Sequence, residues 1–299
     1  MQKKRVFLLL IFITAFLLVI GLGGEVKAYE LKATESNFSK WLTNGYNDEV
    51  GDNLSGKTSN GIKWKATILE VDSWIEGKYG FGKVRIEIEE IPENITEFEI
   101  PTSITLNKTW GLFSFDYNYD VTTISVKSFR KCSNVEKIVI PKSITTIEGG
   151  AFFGCEKLKY LEVANDNANF KDNGEGIVLS KDGTKLVYYP NNKRETEYTI
   201  PSGIKIIGKY AFSSNNNLEN IIISSDVQEI EEYAFSATNI SKMEIPNTVT
   251  KLGLGIFNSC KVLEQINLPT NLTELPANIF RECKKLEKIT LPNSIVDIG

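Results

Sequence analysis

Histidine is absent from this 299-residue chain. Its absence removes the side chain most used for general acid–base work near neutral pH and for binding transition metals. A large excess of positive charge is also missing: 34 lysines and arginines stand against 38 acidic residues, for a formal net charge of −4. Lys3, Lys4, Arg5 and Lys27 all precede Tyr29, so the remainder is more acidic still. Neither nucleic acid nor an anionic membrane is expected as the main partner. No Gly-x-Ser-x-Gly elbow and no phosphate-binding P-loop occur, which excludes two common catalytic frames. Residues 166–175 (DNANFKDNGE) do not alternate oxygen ligands before a terminal Glu as a calcium loop would, and read as loop. Carboxylates are abundant enough that glycosidase chemistry is not excluded by composition, but no spacing points to it. No enzymatic activity, cofactor or metal site is expected. Hydrophobic residues make up 41% of the chain, ample for a core, and they recur in short clusters rather than in helical stripes.

The one long apolar run is N-terminal. Residues 1–28 read as a secretory signal peptide, with Lys3-Lys4-Arg5 as the positive region, residues 6–20 as the apolar core and Val26-Lys27-Ala28 as the cleavage site before Tyr29. Residues 6–24 come close to the length that spans a bilayer. An uncleaved anchor is therefore the alternative, and the membrane enters only through it. Either way the body is expected outside the cytoplasm, secreted or at the cell surface.

What the chain does contain is a recurring stretch. Residues 257–269 (FNSCKVLEQINLP) return as 280–292 (FRECKKLEKITLP) and, earlier, as 129–141 (FRKCSNVEKIVIP). The repeat phenylalanines are Phe129, Phe152, Phe212, Phe235, Phe257 and Phe280, with steps of 23, 60, 23, 22 and 23. A fixed period of this size is the signature of a solenoid. From Ile95 an aliphatic-x-x-aliphatic-x-aliphatic pattern recurs, as in Val135/Ile138/Ile140 and Leu263/Ile266/Leu268. Its last two positions alternate as in a strand. A second aliphatic pair closes each coil, as in Ile204/Ile207 and Val227/Ile230.

The combined pattern A-F-x-x-C-x-x-L-x-x-I-x-I-P-x-x-[VI]-x-x-[IL] resembles the BspA-like leucine-rich repeat of microbial surface proteins, over about residues 95–299. The resemblance implies a right-handed leucine-rich-repeat solenoid: short parallel strands on a concave face, and irregular or briefly helical convex turns. Two inserts interrupt it, near 105–121 and 164–197. The second contains 176–190 (GIVLSKDGTKLVYYP), which reads as a hairpin turning at Asp182-Gly183. The array is incomplete at Gly299, inside a coil, as in a truncated product or a fragment of a longer protein. Residues 29–94 lack the period and read as an N-terminal cap or a small α+β domain. Within them a helix is expected at 36–42, loop at 44–61, and strands at 62–71 and 83–91 with a turn at 77–82. As a binding domain this region would display Trp41, Trp64 and Trp74.

Cys132, Cys155, Cys260 and Cys283 each follow a repeat phenylalanine at the same offset. Two readings stand: a buried ladder of small hydrophobes, or disulfides Cys132–Cys155 and Cys260–Cys283. The candidate binding face consists of the non-core strand positions. One row holds Glu97, Lys137, Tyr160, Asn220, Lys242, Gln265 and Lys288; the next holds Glu99, Val139, Glu162, Ile222, Glu244, Asn267 and Thr290. The aromatic insert Trp110, Phe113, Phe115, Tyr117 and Tyr119 competes as a contact site. By resemblance the function is adhesion, with a protein or glycan ligand, host extracellular matrix among them. The alternative is a structural or display segment of a larger envelope protein whose activity lies beyond residue 299.

Overall fold

The computed structural model describes residues 31–34, 51–71, 81–110 and 113–299. The signal peptide, the helix expected at 36–42, Trp41, Trp74 and most of the 77–82 turn lie outside them. The chain begins with β1 (Leu31–Thr34), β2 (Asn53–Lys57), β3 (Lys63–Val71), β4 (Phe81–Glu90), β5 (Glu97–Glu99), β6 (Ser103–Trp110) and β7 (Phe113–Ile124). β2 forms within the stretch expected as loop, because Leu54 alternates inward between exposed neighbours. β2, β3 and β4 pair antiparallel in sequence, and β4 then pairs parallel with β7. Trp64 is fully buried on β3, so it is not displayed for binding. Its ring fills the space above Gly56, where a Cβ would lie 2.7 Å from the indole.

The coils follow with β8 (Lys137–Ile140), β9 (Thr146–Ile147), β10 (Tyr160–Val163), β11 (Phe170–Asp172), β12 (Val178–Ser180), β13 (Lys185–Tyr188), β14 (Glu197–Thr199) and β15 (Ile206–Ile207). They end with β16 (Asn220–Ile222), β17 (Glu229–Ile230), β18 (Lys242–Glu244), β19 (Lys251–Leu252), β20 (Gln265–Asn267), β21 (Glu274–Leu275) and β22 (Asp297–Ile298). Each coil before the last thus contributes two strands, and the last contributes β22 alone. The first of each pair builds one parallel sheet, in the sets β5-β8-β10, β14-β16 and β18-β20. The second builds the opposite wall, through β4-β7-β9, β13-β15-β17-β19 and β21-β22.

Between the walls runs a ladder of rings. Phe212, Phe235, Phe257 and Phe280 stack at 5.4, 5.6 and 6.0 Å with interplanar angles falling from 19° to 5°. Each buried ring contributes about 1.5–3 kcal/mol by leaving water, and each stacked pair about 0.5–1.5 kcal/mol more. Backbone bonds reinforce the rungs. Tyr210, Phe212 and Ser214 donate their N–H groups to the carbonyls of Glu232, Ala234 and Ser236 at 3.1, 2.8 and 2.8 Å, and the next coil repeats the pattern. These turns contain no helix among the described residues. The reason is local: left-handed residues flank the ring on both sides, as at Tyr210 (φ 57°) with Ser214 (62°), and Tyr233 (56°) with Ala237 (55°). A helix cannot run through paired left-handed residues. Of the two forms expected for the convex turn, the irregular one is present.

The long step between Phe152 and Phe212 hides a complete coil. Tyr189 stands one repeat period before Phe212 and stacks on it at 5.2 Å. It donates its N–H to Ala211 O at 2.8 Å, as Phe212 does to Ala234 O. Tyr198, Ile200, Ile204 and Ile207 then take the positions of Ile221, Ile223, Val227 and Ile230, with β14 pairing β16 and β15 pairing β17 in register. The insert is therefore shorter than 164–197: regular coil geometry resumes at Tyr189. Both inserts leave the coil at the same corner, between its first and second strands. The earlier one becomes the β6–β7 hairpin. The later one carries β11 and β12, and β12 and β13 form the hairpin whose turn includes Gly183 (φ 79°).

Tyr189 is fully buried and its hydroxyl has no hydrogen-bond partner. Tyr189→Phe should leave chemical-denaturation stability unchanged or raise it by about 1–3 kcal/mol, the cost of an unsatisfied buried group. Tyr189→Ala should lower it by about 3–5 kcal/mol. A large loss in the phenylalanine variant would show that the hydroxyl, rather than the ring, holds the rung.

Candidate functional site

The outward positions of the first sheet form the candidate site, and the register places them side by side. Glu97, Lys137 and Tyr160 align across β5, β8 and β10, as do Glu99, Val139 and Glu162. Further along, Lys242 aligns with Gln265 and Glu244 with Asn267. The sequence rows are thus real rows, but they are not continuous. Leu161 N donates to Gly176 O at 3.2 Å and Val163 N to Asp172 Oδ2 at 3.0 Å. The insert therefore takes the bonds that a following strand would make, and the sheet breaks between β10 and β14; it is interrupted again between β16 and β18, and Lys288 and Thr290 lie outside any strand.

On the N-terminal side of the break, the groups are largely spent on one another. Lys137 pairs with Glu162 at 2.6 Å, and the bond from Glu162 raises the Lys137 pKa. Tyr160 lies against Gly176 and donates its hydroxyl to Gly174 O at 3.2 Å. Burial, then Asp172 and Glu162, raise its pKa.

On the C-terminal side the face is open. Asn220, Ile222, Lys242, Glu244, Gln265, Asn267, Lys288 and Thr290 are all exposed. Lys242 and Lys288 make no ion pair among the described residues, and Ile222 is 45% exposed at the centre. The structure adds two residues that the sequence rows omitted, Glu197 and Thr199 on β14, aligned with Asn220 and Ile222. Asn220 Nδ2 donates to Glu197 Oε2 at 2.7 Å. Their signal was the step of one repeat back from Asn220, masked because Tyr198 stands where the pattern asks for an aliphatic.

The aromatic insert is the β6–β7 hairpin. Its register sets Trp110 opposite Phe113, Lys108 opposite Phe115, Leu106 opposite Tyr117 and Ile104 opposite Tyr119. Tyr119 does not belong to an exposed contact surface: it is 1% exposed and, with Ile104, part of the core.

All four cysteines are free, which decides between the two readings. Cys260 and Cys283 donate their thiols to Phe235 O and Phe257 O at 3.0 Å, in the preceding coil. Thr238 stands at the same coil position and donates to Phe235 O at 2.9 Å. Asn215, likewise placed, donates to Pro190 O at 3.3 Å. The column is a ladder of small donors that satisfies coil-corner carbonyls. Burial pushes the Cys132 and Cys283 thiols up to about 12 and raises those of Cys155 and Cys260. No group of three or more Cys, Asp or Glu among the described residues is placed to hold a metal ion.

A family profile described as "BspA type Leucine rich repeat region" matches six copies over residues 77–174 and 188–299, most of the chain. The chain belongs to the BspA-type leucine-rich repeat family. The gap in that match, 175–187, falls inside the second insert, and the renewed match at 188 agrees with Tyr189 as a rung. Among solved structures it is similar to a leucine-rich repeat protein from Eubacterium ventriosum, at 22% identity over 83% of this chain and 94% of that one, with a TM-score of 0.46. It is also similar to the pneumococcal vaccine antigen PcpA, at 16% identity over 84% of this chain and 94% of that one, TM-score 0.36. A leucine-rich cell surface protein from Faecalibacterium prausnitzii matches at 17% identity over 85% and 84%, TM-score 0.30. The comparison with curated proteins returned no match.

The thiol ladder makes a pH prediction. Folding raises the Cys132 pKa from about 9 to about 12, so the native state holds a proton that the unfolded chain releases. This contribution to stability is complete below pH 9 and is lost as pH rises toward 12. The urea midpoint of wild type should therefore fall over that window, and Cys132→Ala should flatten the fall. An equal slope in the variant would contradict the assignment.

Proposed function

We propose that this BspA-type repeat protein is an exported cell-surface or secreted adhesin, with no catalytic role, whose contact surface is the open half of the first sheet. The carrying observation is the field from Glu197 to Thr290. Two rows of outward residues, all exposed, extend over five coils, roughly 20 Å at the strand spacing of about 4.8 Å. Lys242 and Lys288 offer unpaired cations, Glu197 and Glu244 anions, the amides of Asn220, Gln265 and Asn267 both donors and acceptors, and Ile222 an apolar anchor. Such a mixture suits a protein or glycan surface, host extracellular matrix included, and has no feature that selects nucleic acid. Export rests on the leader at residues 1–28. Among the described residues no helix is long and apolar enough to cross a membrane.

The test is binding of the purified protein to surfaces coated with fibronectin, laminin or collagen. Saturable binding should be lost, by about tenfold or more in Kd, in Lys242→Glu/Lys288→Glu with an unchanged circular dichroism spectrum. Binding retained there but lost in Trp110→Ser/Phe113→Ser would move the site to the hairpin. A folded protein that binds none of the three would overturn matrix adhesion.

A further inference from the structure

We propose that Lys209 and Tyr210 form a strap across the seam between the coils of Phe152 and Tyr189, holding the two halves of the solenoid in one alignment. The walls do not hold it. The first sheet stops at β10 and resumes at β14, and in the second wall β9 pairs with β7 but not with β13. At the next joint, by contrast, β13 pairs with β15 and β14 with β16. The buried side chains divide at the seam too, into one cluster that includes Tyr188 and another that includes Tyr189. Direct contacts between the two coils are sparse among the described residues. Asn192 N donates to Leu158 O at 2.9 Å, Tyr188 Oη donates to Phe152 O at 3.4 Å, and the rings of Phe152 and Tyr188 meet at 5.1 Å.

A shortened corner makes room for the strap. In the regular coils the ring follows the last residue of the second strand by five positions, as Phe152 follows Ile147 and Phe212 follows Ile207. Leu186 is the register partner of Ile207, yet Tyr189 follows it by three. The coil of Tyr189 therefore lacks the pair that stands third and second before the ring elsewhere. That pair is Gly149-Gly150 in the coil before and Lys209-Tyr210 in the coil after, and the two pairs meet across the short coil. A Cβ on Gly149 would lie 2.6 Å from Lys209 Cγ, so the lysine stem occupies the space that a side chain there would fill. At Gly150, whose φ is 85°, a Cβ would lie 3.6 Å from Tyr210 Cδ2 and 3.7 Å from Val126 Cγ2.

Both ends of the strap are anchored. Lys209 Nζ pairs with Glu232 at 3.2 Å, and Lys209 N donates to Glu231 Oε2 at 2.8 Å. The Tyr210 ring stacks on Tyr233 at 5.0 Å with an interplanar angle of 8°. On the other side Glu148, beside Gly149, accepts from Arg85 Nη1 at 2.9 Å and from Val126 N at 2.8 Å. Packing rather than charge carries the contact, because an exposed pair such as Lys209–Glu232 contributes little, whereas the lysine stem and the ring shield glycine backbone from water. The strap fixes the angle between the half bearing the β6–β7 hairpin and the half bearing the open face, whether or not either surface binds a partner.

The test compares wild type with Lys209→Ala/Tyr210→Asn, which installs the pair that Ala277 and Asn278 supply before Phe280. Asn278 has a φ of 58° and Tyr210 one of 57°, so the corner keeps its conformation. Residual dipolar couplings of backbone amides should fit one alignment tensor for both halves in wild type and two in the variant. Amide exchange at Asn192 should become about tenfold or more faster relative to Phe212, as expected when a packed ring and stem are removed at a joint. Gly149→Ala, which pushes the stem off from the opposite side, should have the same effect. Lys209→Met/Tyr210→Phe keeps stem and ring and should behave as wild type. Three results would each overturn the proposal: two tensors in wild type, loss of alignment in Lys209→Met/Tyr210→Phe, or one tensor with an unchanged exchange ratio in both Lys209→Ala/Tyr210→Asn and Gly149→Ala.

Discussion

One coil of this protein cannot exist without the next. A single coil buries one ring and a few aliphatics, and its strands are too short to hold hydrogen bonds of their own. Stacking supplies everything at once. The ring of each coil covers its neighbour, the N–H groups around that ring bond to the following coil, and both walls of strands gain a parallel partner. The left-handed residues at Tyr210, Ser214, Tyr233 and Ala237 are a consequence: each costs about 1–2 kcal/mol for a residue with a side chain, offset because that geometry turns alternate N–H groups along the axis.

Much of this was legible in the sequence because stacking imposes a period, and a period survives substitution at most positions. The phenylalanine spacing, the aliphatic pattern and the cysteine column all report the same inward-facing positions. Legibility failed where a different side chain met the same physical need. Tyr189 supplies a ring where phenylalanine was sought, and Tyr198 an apolar body where an aliphatic was sought, so the first part of a coil, from Tyr189 to residue 197, was read as insert. β2 was read as loop because Asn, Gly and Ser dominate its stretch, and only Leu54 betrays the buried face. The N-terminal region resisted for a related reason: β4 carries no repeat motif, yet it pairs with β7 as though it were the wall of an earlier coil.

The candidate site was legible in part. Period-two alternation identified which strand residues face outward, since register follows from stacking. Alternation says nothing about interruption, and the bonds from Leu161 to Gly176 and from Val163 to Asp172 split one expected surface into a self-satisfied half and an open half. In a solenoid the core is written in the repeat and the surface in its departures, so the inserts and the polar corners decide what is available to a partner.

The central claim is that Tyr189 is a full rung and that the coils on either side of the second insert, whose buried side chains form two clusters meeting at Tyr188 and Tyr189, are joined as one stack. Residue-resolved amide hydrogen exchange measures this most directly. If the claim holds, the amides of Tyr189 and Asn192, bonded to Ala211 O on one side and to Leu158 O on the other, will be protected to the same degree as those of Phe212 and Phe235 well inside the array. Exchange at Tyr189 and Asn192 as fast as in the exposed turn at Asp182-Gly183 would mean that the solenoid is two separate stacks joined by a linker.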